Sequence, residues 1–173
     1  MSKHLFSNLP GETRAAAAEL ARRGFAVFPC RPENSPGRKN MKAPLTPHGF
    51  KDASSDADVV AAMFNAVTPA ALIGLPTGLI NGVIVVDIES TEGHGVDGCA
   101  DAAAYKAEGF CLTDTVVCVR TWSGGYHLYY RSPPTERKSF KFKRKGIEVR
   151  GDGGYVICPP SRLLTGQKWE VIQ

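Results

Sequence analysis

Val83-Ile84-Val85-Val86-Asp87-Ile88-Glu89 is apolar until its last three residues, where two carboxylates stand two positions apart. Its β-branched run and short length suit a buried strand better than a helix. Side chains of a strand alternate faces, so Asp87 and Glu89 project together while Ile84, Val86 and Ile88 pack behind them. Two like charges side by side repel, and a hard divalent cation such as Mg²⁺ or Mn²⁺ between them would relieve the repulsion. A strand running out into a solvated acidic loop carries the same pattern, and the pair alone does not separate the two readings.

On either side of this strand the chain reads as short strands with a few helices. Upstream, Arg14–Arg23 has helical composition and is stopped by Gly24, and Phe25–Cys30 follows as a buried strand. Arg31–Lys51, dense in Pro, Gly, Asn and Lys, is expected as a long surface loop. Ser55 or Asp56 caps a helix over Ala57–Asn65, and Ala71–Leu75 is a strand ending at Pro76-Thr77-Gly78.

Downstream, Gly98–Gly109 is helix-like, and Thr115–Thr121 with Tyr126–Arg131 forms a hairpin across Trp122-Ser123-Gly124-Gly125. Gly146–Arg150 and Gly154–Cys158 are expected to pair with each other across Gly151-Asp152-Gly153, and Trp169–Ile172 begins a further strand. The fold class is therefore α+β, a mainly antiparallel sheet flanked by helices with an N-terminal α/β part. Length points to one domain over 1–173, with a possible subdomain division near 31–56 and an abrupt end expected of the N-terminal piece of a longer protein.

No apolar run is long enough to span a bilayer, and Met1–Pro10 lacks the apolar core of a secretory signal, so a cytoplasmic location is expected. The five cysteines include no C-x-x-C pair, which argues for reduced thiols. A zinc site from His94, Cys99, Cys111 and Cys118 has no defensible ligand spacing. Gly93-His94-Gly95-Val96-Asp97-Gly98 fits G-x-G-x-x-G, but polar residues separate it from the preceding strand and no ribose-binding acid follows. The chain has no phosphate-binding loop ending in Gly-Lys-Ser/Thr.

The net charge of +4 is mild, yet Arg137, Lys138, Lys141, Lys143, Arg144 and Lys145 crowd one short stretch, with Phe140 and Phe142 interleaved. Such a stretch suits a nucleic-acid backbone through phosphate contact and stacking, with Lys141, Lys143, Arg144 and Lys145 as its candidates. A charged edge strand that resists aggregation has the same composition. In Gly146-Ile147-Glu148-Val149-Arg150-Gly151, alternation sets Glu148 and Arg150 on one face and Ile147 and Val149 on the other. Glu148 could join a metal site while Arg150 holds a phosphate; an ordinary exposed face with opposite charges fits equally. In the hairpin, His127, Tyr129 and Arg131 share a face, and His127 with Ser123 could donate to triphosphate oxygens.

Taken in order, these segments resemble the primase-polymerase (Prim-Pol) domain of the archaeo-eukaryotic primase superfamily. The resemblance is carried by Asp87-Ile88-Glu89, Ser123-Gly124-Gly125-Tyr126-His127, and Glu148-Val149-Arg150-Gly151 through Gly154-Tyr155-Val156-Ile157-Cys158-Pro159-Pro160-Ser161. Upstream, Lys42-Ala43-Pro44-Leu45 and Gly49-Phe50-Lys51-Asp52-Ala53 extend it over nearly the whole chain.

The resemblance implies an RRM-like catalytic sheet and template-directed nucleotidyl transfer from (d)NTPs, with Mg²⁺ or Mn²⁺ held by Asp87, Glu89 and Glu148. It implies triphosphate contacts from His127, with Ser123, Arg150 and Lys42 as further nucleotide-binding candidates. It also implies a DNA template and primer as partners and a helicase or other module C-terminal to the domain. The third acid is Glu where the family more often has Asp, which leaves Asp152 as an alternative ligand. The rival readings are a non-catalytic nucleic-acid-binding module of a replication initiator and a rolling-circle nuclease, although no His-x-His is present for the latter.

Overall fold

The computed structural model describes residues 5–109 and 115–172. In chain order the elements are α1 (Thr13–Arg22), β1 (Phe28–Cys30), a 3₁₀ turn (Gly49–Asp52), α2 (Ala57–Asn65), β2 (Leu72–Pro76), β3 (Val83–Ile88), α3 (Thr91–His94) and α4 (Gly98–Ala107). They continue as β4 (Val117–Arg120), β5 (Tyr126–Arg131), β6 (Phe140–Lys141), β7 (Ile147–Arg150), β8 (Tyr155–Ile157) and β9 (Glu170–Val171). All strand pairs in the two sheets are antiparallel, and the α+β expectation holds. Among the described residues no helix is long and apolar enough to cross a membrane.

The chain forms two compact units. One comprises Phe6–Pro76 and Tyr155–Trp169; the other is built on Thr77–Gly154 and takes in Glu170 and Val171. The stretch 31–56 lies inside the first unit, and the chain changes unit at Pro76–Thr77 and Gly154–Tyr155.

The first unit holds the three-stranded sheet β1-β2-β8 with α1 and α2. Its helices start where side-chain acceptors meet orphan N–H groups. Glu12 caps α1 through Arg14 and Ala15, and Asp56 caps α2 through Asp58 and Val59. The buried face of α1 is Ala16, Ala17, Leu20 and Ala21, that of α2 is Val60 and Phe64, and these bury with Phe28, Leu72, Ile73 and Leu75. Ser161 Oγ, fully buried, accepts the Ile73 N–H at 2.8 Å. Burial pushes the Cys158 thiol far above its usual range and the Cys30 thiol well up too, so neither is poised for reaction. Cys30, Cys99, Cys118 and Cys158 are free thiols, as expected; Cys111 lies outside the described residues.

The second unit holds the six-stranded sheet β6-β7-β3-β5-β4-β9. Its centre is β3, flanked by β5 and β7. On one face Val86, Ile88, Ile147 and Val149 form an aliphatic cluster, against which Ala102 and Tyr105 of α4 and Phe142 pack. The expected pairing of Gly146–Arg150 with Gly154–Cys158 is not made. β7 pairs with β3 and β6, whereas β8 joins β2 in the other unit. The turn between them is committed to other loops: the Asp152 carboxylate accepts the N–H groups of Leu79 at 2.8 Å and Arg137 at 2.7 Å. The Gly151 carbonyl accepts the Thr77 hydroxyl at 2.6 Å. Those bonds draw residues 151–152 toward segments 77–79 and 137–139 instead of closing a two-strand ribbon.

Candidate active site on the polar face of the central strands

Register decides which side chains meet. In the central sheet Asp87 is the Cα partner of His127 on β5 and of Glu148 on β7, so one residue from each of three adjacent strands stands in a row. Directly opposed residues share a face with Cβ atoms about 5 Å apart. His127 Nε2 approaches Asp87 Oδ1 at 3.5 Å. Arg150, two residues beyond Glu148 and on the same face, places Nη2 2.9 Å from Glu148 Oε2 and Nε 3.7 Å from Asp87 Oδ2. Asp87 and His127 are both buried. The guanidinium thus lies across the two carboxylates, which burial would otherwise force to repel.

Glu89 stands one residue past the end of β3, half-buried. Its N–H donates to the Gly146 carbonyl at 2.9 Å and its carbonyl accepts the Gly98 N–H at 3.0 Å. Gly98 is required there, because a side-chain carbon would run into the Gly146 carbonyl and the Glu89 backbone. That contact gives the G-x-G-x-x-G match its structural meaning. Gly95 ends α3 at φ 71°, Asp97 caps α4 through the Ala100 N–H, and Gly98 lets α4 start against the end of the site strand.

The hairpin that carries His127 closes through Gly124 N–H to the Thr121 carbonyl and Thr121 N–H to the Gly125 carbonyl, with Gly124 at φ 89°. This is the pattern of a short loop finishing on a left-handed residue, a conformation that favours glycine. Ser123, buried in that turn, lies 3.3 Å from the Thr121 hydroxyl, and its carbonyl accepts the Ser90 hydroxyl. It therefore braces the turn.

The structure brings Asp87, His127, Glu148 and Arg150 together on one face. Among the described residues no three His, Cys, Asp or Glu side chains converge closely enough to hold a metal ion. What the face offers a hard cation is the oxygen pair of Asp87 and Glu148, with Arg150 presently bridging it. Asp152 is occupied elsewhere. The Leu79 and Arg137 N–H groups, in that order, hold its carboxyl below the usual range, and it caps loops.

Lys42 belongs to the first unit and has the left-handed backbone φ of 70°, uncommon for a residue with a side chain; its carbonyl accepts the Tyr155 hydroxyl at 3.2 Å. Lys141 is the register partner of Glu148, and Lys143 and Lys145 are exposed. Arg144 is otherwise engaged: it pairs with Glu108 at 2.6 Å and lies over the Tyr105 ring at 5.3 Å.

Two features were harder to read from sequence. The signal for Arg150 as partner of both carboxylates was the E-x-R alternation itself, which places acid and base on one face. For Asp152 the only signal was an acid between glycines, common to many turns.

The antiparallel α+β unit thus presents two carboxylates, an imidazole and a guanidinium on one face of β3, β5 and β7. The family model of the bifunctional DNA primase/polymerase N-terminal domain, Prim-Pol, matches residues 17–173, and the chain belongs to that family. No curated protein matches it. Family membership associates the domain with DNA primase/polymerase activity and so with DNA and nucleotides.

Proposed function

We propose that the domain is a divalent-metal-dependent nucleotidyltransferase that makes or extends primers on a DNA template from (d)NTPs, with the archaeo-eukaryotic primase type of RRM-like sheet. The observation that carries this reading is the row His127–Asp87–Glu148 across adjacent strands, with Arg150 beside it. Oxygen donors from Asp87 and Glu148 suit Mg²⁺ or Mn²⁺, and Glu89, one residue past the strand end, would have to turn toward them to add a third carboxylate. Such an ion would supply charge neutralisation at the reacting phosphate and activation of the attacking hydroxyl.

The chain's own residues would do the positioning. Asp87 is fixed by its strand pairing, His127 is held beside it to donate toward a phosphate oxygen, and Arg150 offers a forked donor to the triphosphate. Ser123 would act through the turn that sets the His127 strand, and Lys42 stays a candidate phosphate contact on its residue type alone. Lys141, Lys143 and Lys145 would follow a template backbone, with Arg144 tying that ribbon to α4 through Glu108.

The decisive experiment is primer extension with Mn²⁺ or Mg²⁺, comparing the wild type with Asp87→Ala combined with Glu89→Ala. The expected result is extension by the wild type alone; equal activity in both would sink the assignment. A nucleic-acid-binding module without catalysis would instead bind template while showing no Mn²⁺-dependent dNTP binding by calorimetry.

A further inference from the structure

We propose that Arg150 is a resident counter-cation of the site, which an incoming divalent ion displaces from the carboxylates and so frees to grip the triphosphate, coupling metal loading to nucleotide loading. This rests on the reading of Asp87 and Glu148 as metal-binding carboxylates.

Three features of the geometry point to it. First, the two acids are opposed across neighbouring central strands, and neither strand can move apart without breaking the ladder between β3 and β7. Their repulsion must therefore be answered by a cation on the same face. Arg150 supplies it from the same strand as Glu148, and among the described residues it is the one Arg or Lys paired with either acid.

Second, Arg150 fills the position imperfectly. Nη2 makes a good contact with Glu148 at 2.9 Å, but Nε, 3.7 Å from Asp87 Oδ2, is buried without a hydrogen-bond partner. At that distance a donor is desolvated without being satisfied. A divalent ion carries twice the charge and accepts oxygen ligands from several directions, so it answers the same pair of acids better.

Third, the guanidinium has somewhere to go. The Arg150 side chain is 31% exposed, against 12% for Asp87 and 16% for Glu148, so it can swing outward while the acids stay fixed. Swung off the carboxylates, it presents a planar fork suited to phosphate oxygens, on the face where the nucleotide is proposed to bind.

The test is calorimetric titration of Mn²⁺ into wild type, Arg150→Gln and Arg150→Lys protein stripped with chelator, with no nucleotide present. Removing the competing charge should tighten Mn²⁺ binding about tenfold in Arg150→Gln, while Arg150→Lys, which keeps the charge, stays within about threefold of wild type. In dNTP titrations at saturating Mn²⁺, Arg150→Gln should bind more weakly than wild type. Equal or weaker Mn²⁺ binding in a folded Arg150→Gln protein would overturn the proposal.

A measurement on the wild type guards against a variant that does not fold. In ¹⁵N-labelled protein the Arg150 Nε–H resonance should shift on addition of Mg²⁺, and an unmoved resonance overturns displacement. Absence of metal binding to every variant, with and without dNTP, would overturn the carboxylate-metal reading itself. Equal binding to all three would remove only the role of Arg150.

Discussion

The two faces of β3, β5 and β7 are written in alternate residues of the same strands and differ sharply in polarity around Asp87. Val86, Ile88, Ile147 and Val149 look toward Tyr105 and Ala102 of α4, and burying each such side chain stabilises the fold by about 1.5–3 kcal/mol. Asp87, His127, Glu148 and Arg150 occupy the intervening positions, with Asp87 buried and Glu148 and Arg150 partly so, and removing such charges from water costs free energy unless they are paired. A one-residue slip in register would exchange the two sets, so the aliphatic face fixes the register on which the polar face depends. Stability and chemistry are thus separated by side-chain direction only at the end of the strands that carries Asp87; further along, Val83, Val85 and Tyr129 are fully buried on the Asp87 side.

One substitution disables the polar face alone. Asp87→Asn keeps the shape of the side chain and removes its charge, so metal-dependent primer extension should fall by roughly 10³-fold, the equivalent of several kcal/mol of transition-state stabilisation. The melting temperature should change far less than for any truncation on the opposite face. A large loss of stability with extension intact would mean that the two faces had been assigned the wrong way round.

The converse variant is Ile147→Ala. Ile147 is 2% exposed at the centre of the aliphatic cluster, and cutting it back should destabilise the domain by about 2–5 kcal/mol in denaturant unfolding. Extension per folded molecule, measured well below the melting temperature, should stay near that of the wild type. If activity collapsed in step with stability, the faces would not be separable in the way the register suggests.

How far this contrast was visible in the sequence follows from the range of the interactions. Strand alternation placed Ile147 and Val149 opposite Glu148 and Arg150 because period two is a local property, and the pairing of Val117–Arg120 with Tyr126–Arg131 was legible from its short glycine-containing turn. The Asp56 cap of α2 was legible for the same reason. The partners of β7 and β8 were not. Their separation depends on Asp152 accepting N–H groups from residues 79 and 137, and nothing in a Gly-Asp-Gly turn specifies partners so far away. Arg144 likewise reads as one more cation in a basic run until Glu108 and Tyr105 are seen beside it.

A smaller effect sharpens the boundary of the polar face at Asp152, which shares the run after β7 with the site but serves the loops. Asp152→Asn loses one of two N–H acceptors and should cost about 1 kcal/mol of stability near neutral pH, with extension within about twofold of wild type. The wild-type carboxyl is held below the usual range by the Leu79 and then the Arg137 N–H. Its contribution is therefore present above an unfolded-state value near about 4 and lost as pH falls through the lower folded value. The stability gap between wild type and variant should hold from pH 7 to about 5 and close below about 4. Extension lost as severely as in Asp87→Asn would instead make Asp152 a ligand.

The smallest effect asks whether the contrast between faces extends to the edge strand. In β6 Lys141 is the register partner of Glu148, on the polar side, whereas Phe140 opposes Val149 on the aliphatic side, with its ring 5.4 Å from that of Phe142. Phe142 in turn meets Tyr105 at 5.3 Å and packs on the aliphatic cluster, while Phe140 is exposed on the same side, so both rings are poorly placed to stack bases on the carboxylate side. Template contact should then come from lysines. Lys141→Ala should weaken single-stranded DNA binding modestly and reduce the slope of log affinity against log salt by about 0.7, one phosphate's worth, with Lys143→Ala and Lys145→Ala adding similar steps. Phe140→Ala should leave that slope unchanged. A Phe140 variant that lost affinity at every salt concentration would show that the aliphatic side of the edge strand also touches DNA, and the division between the faces would end at β7.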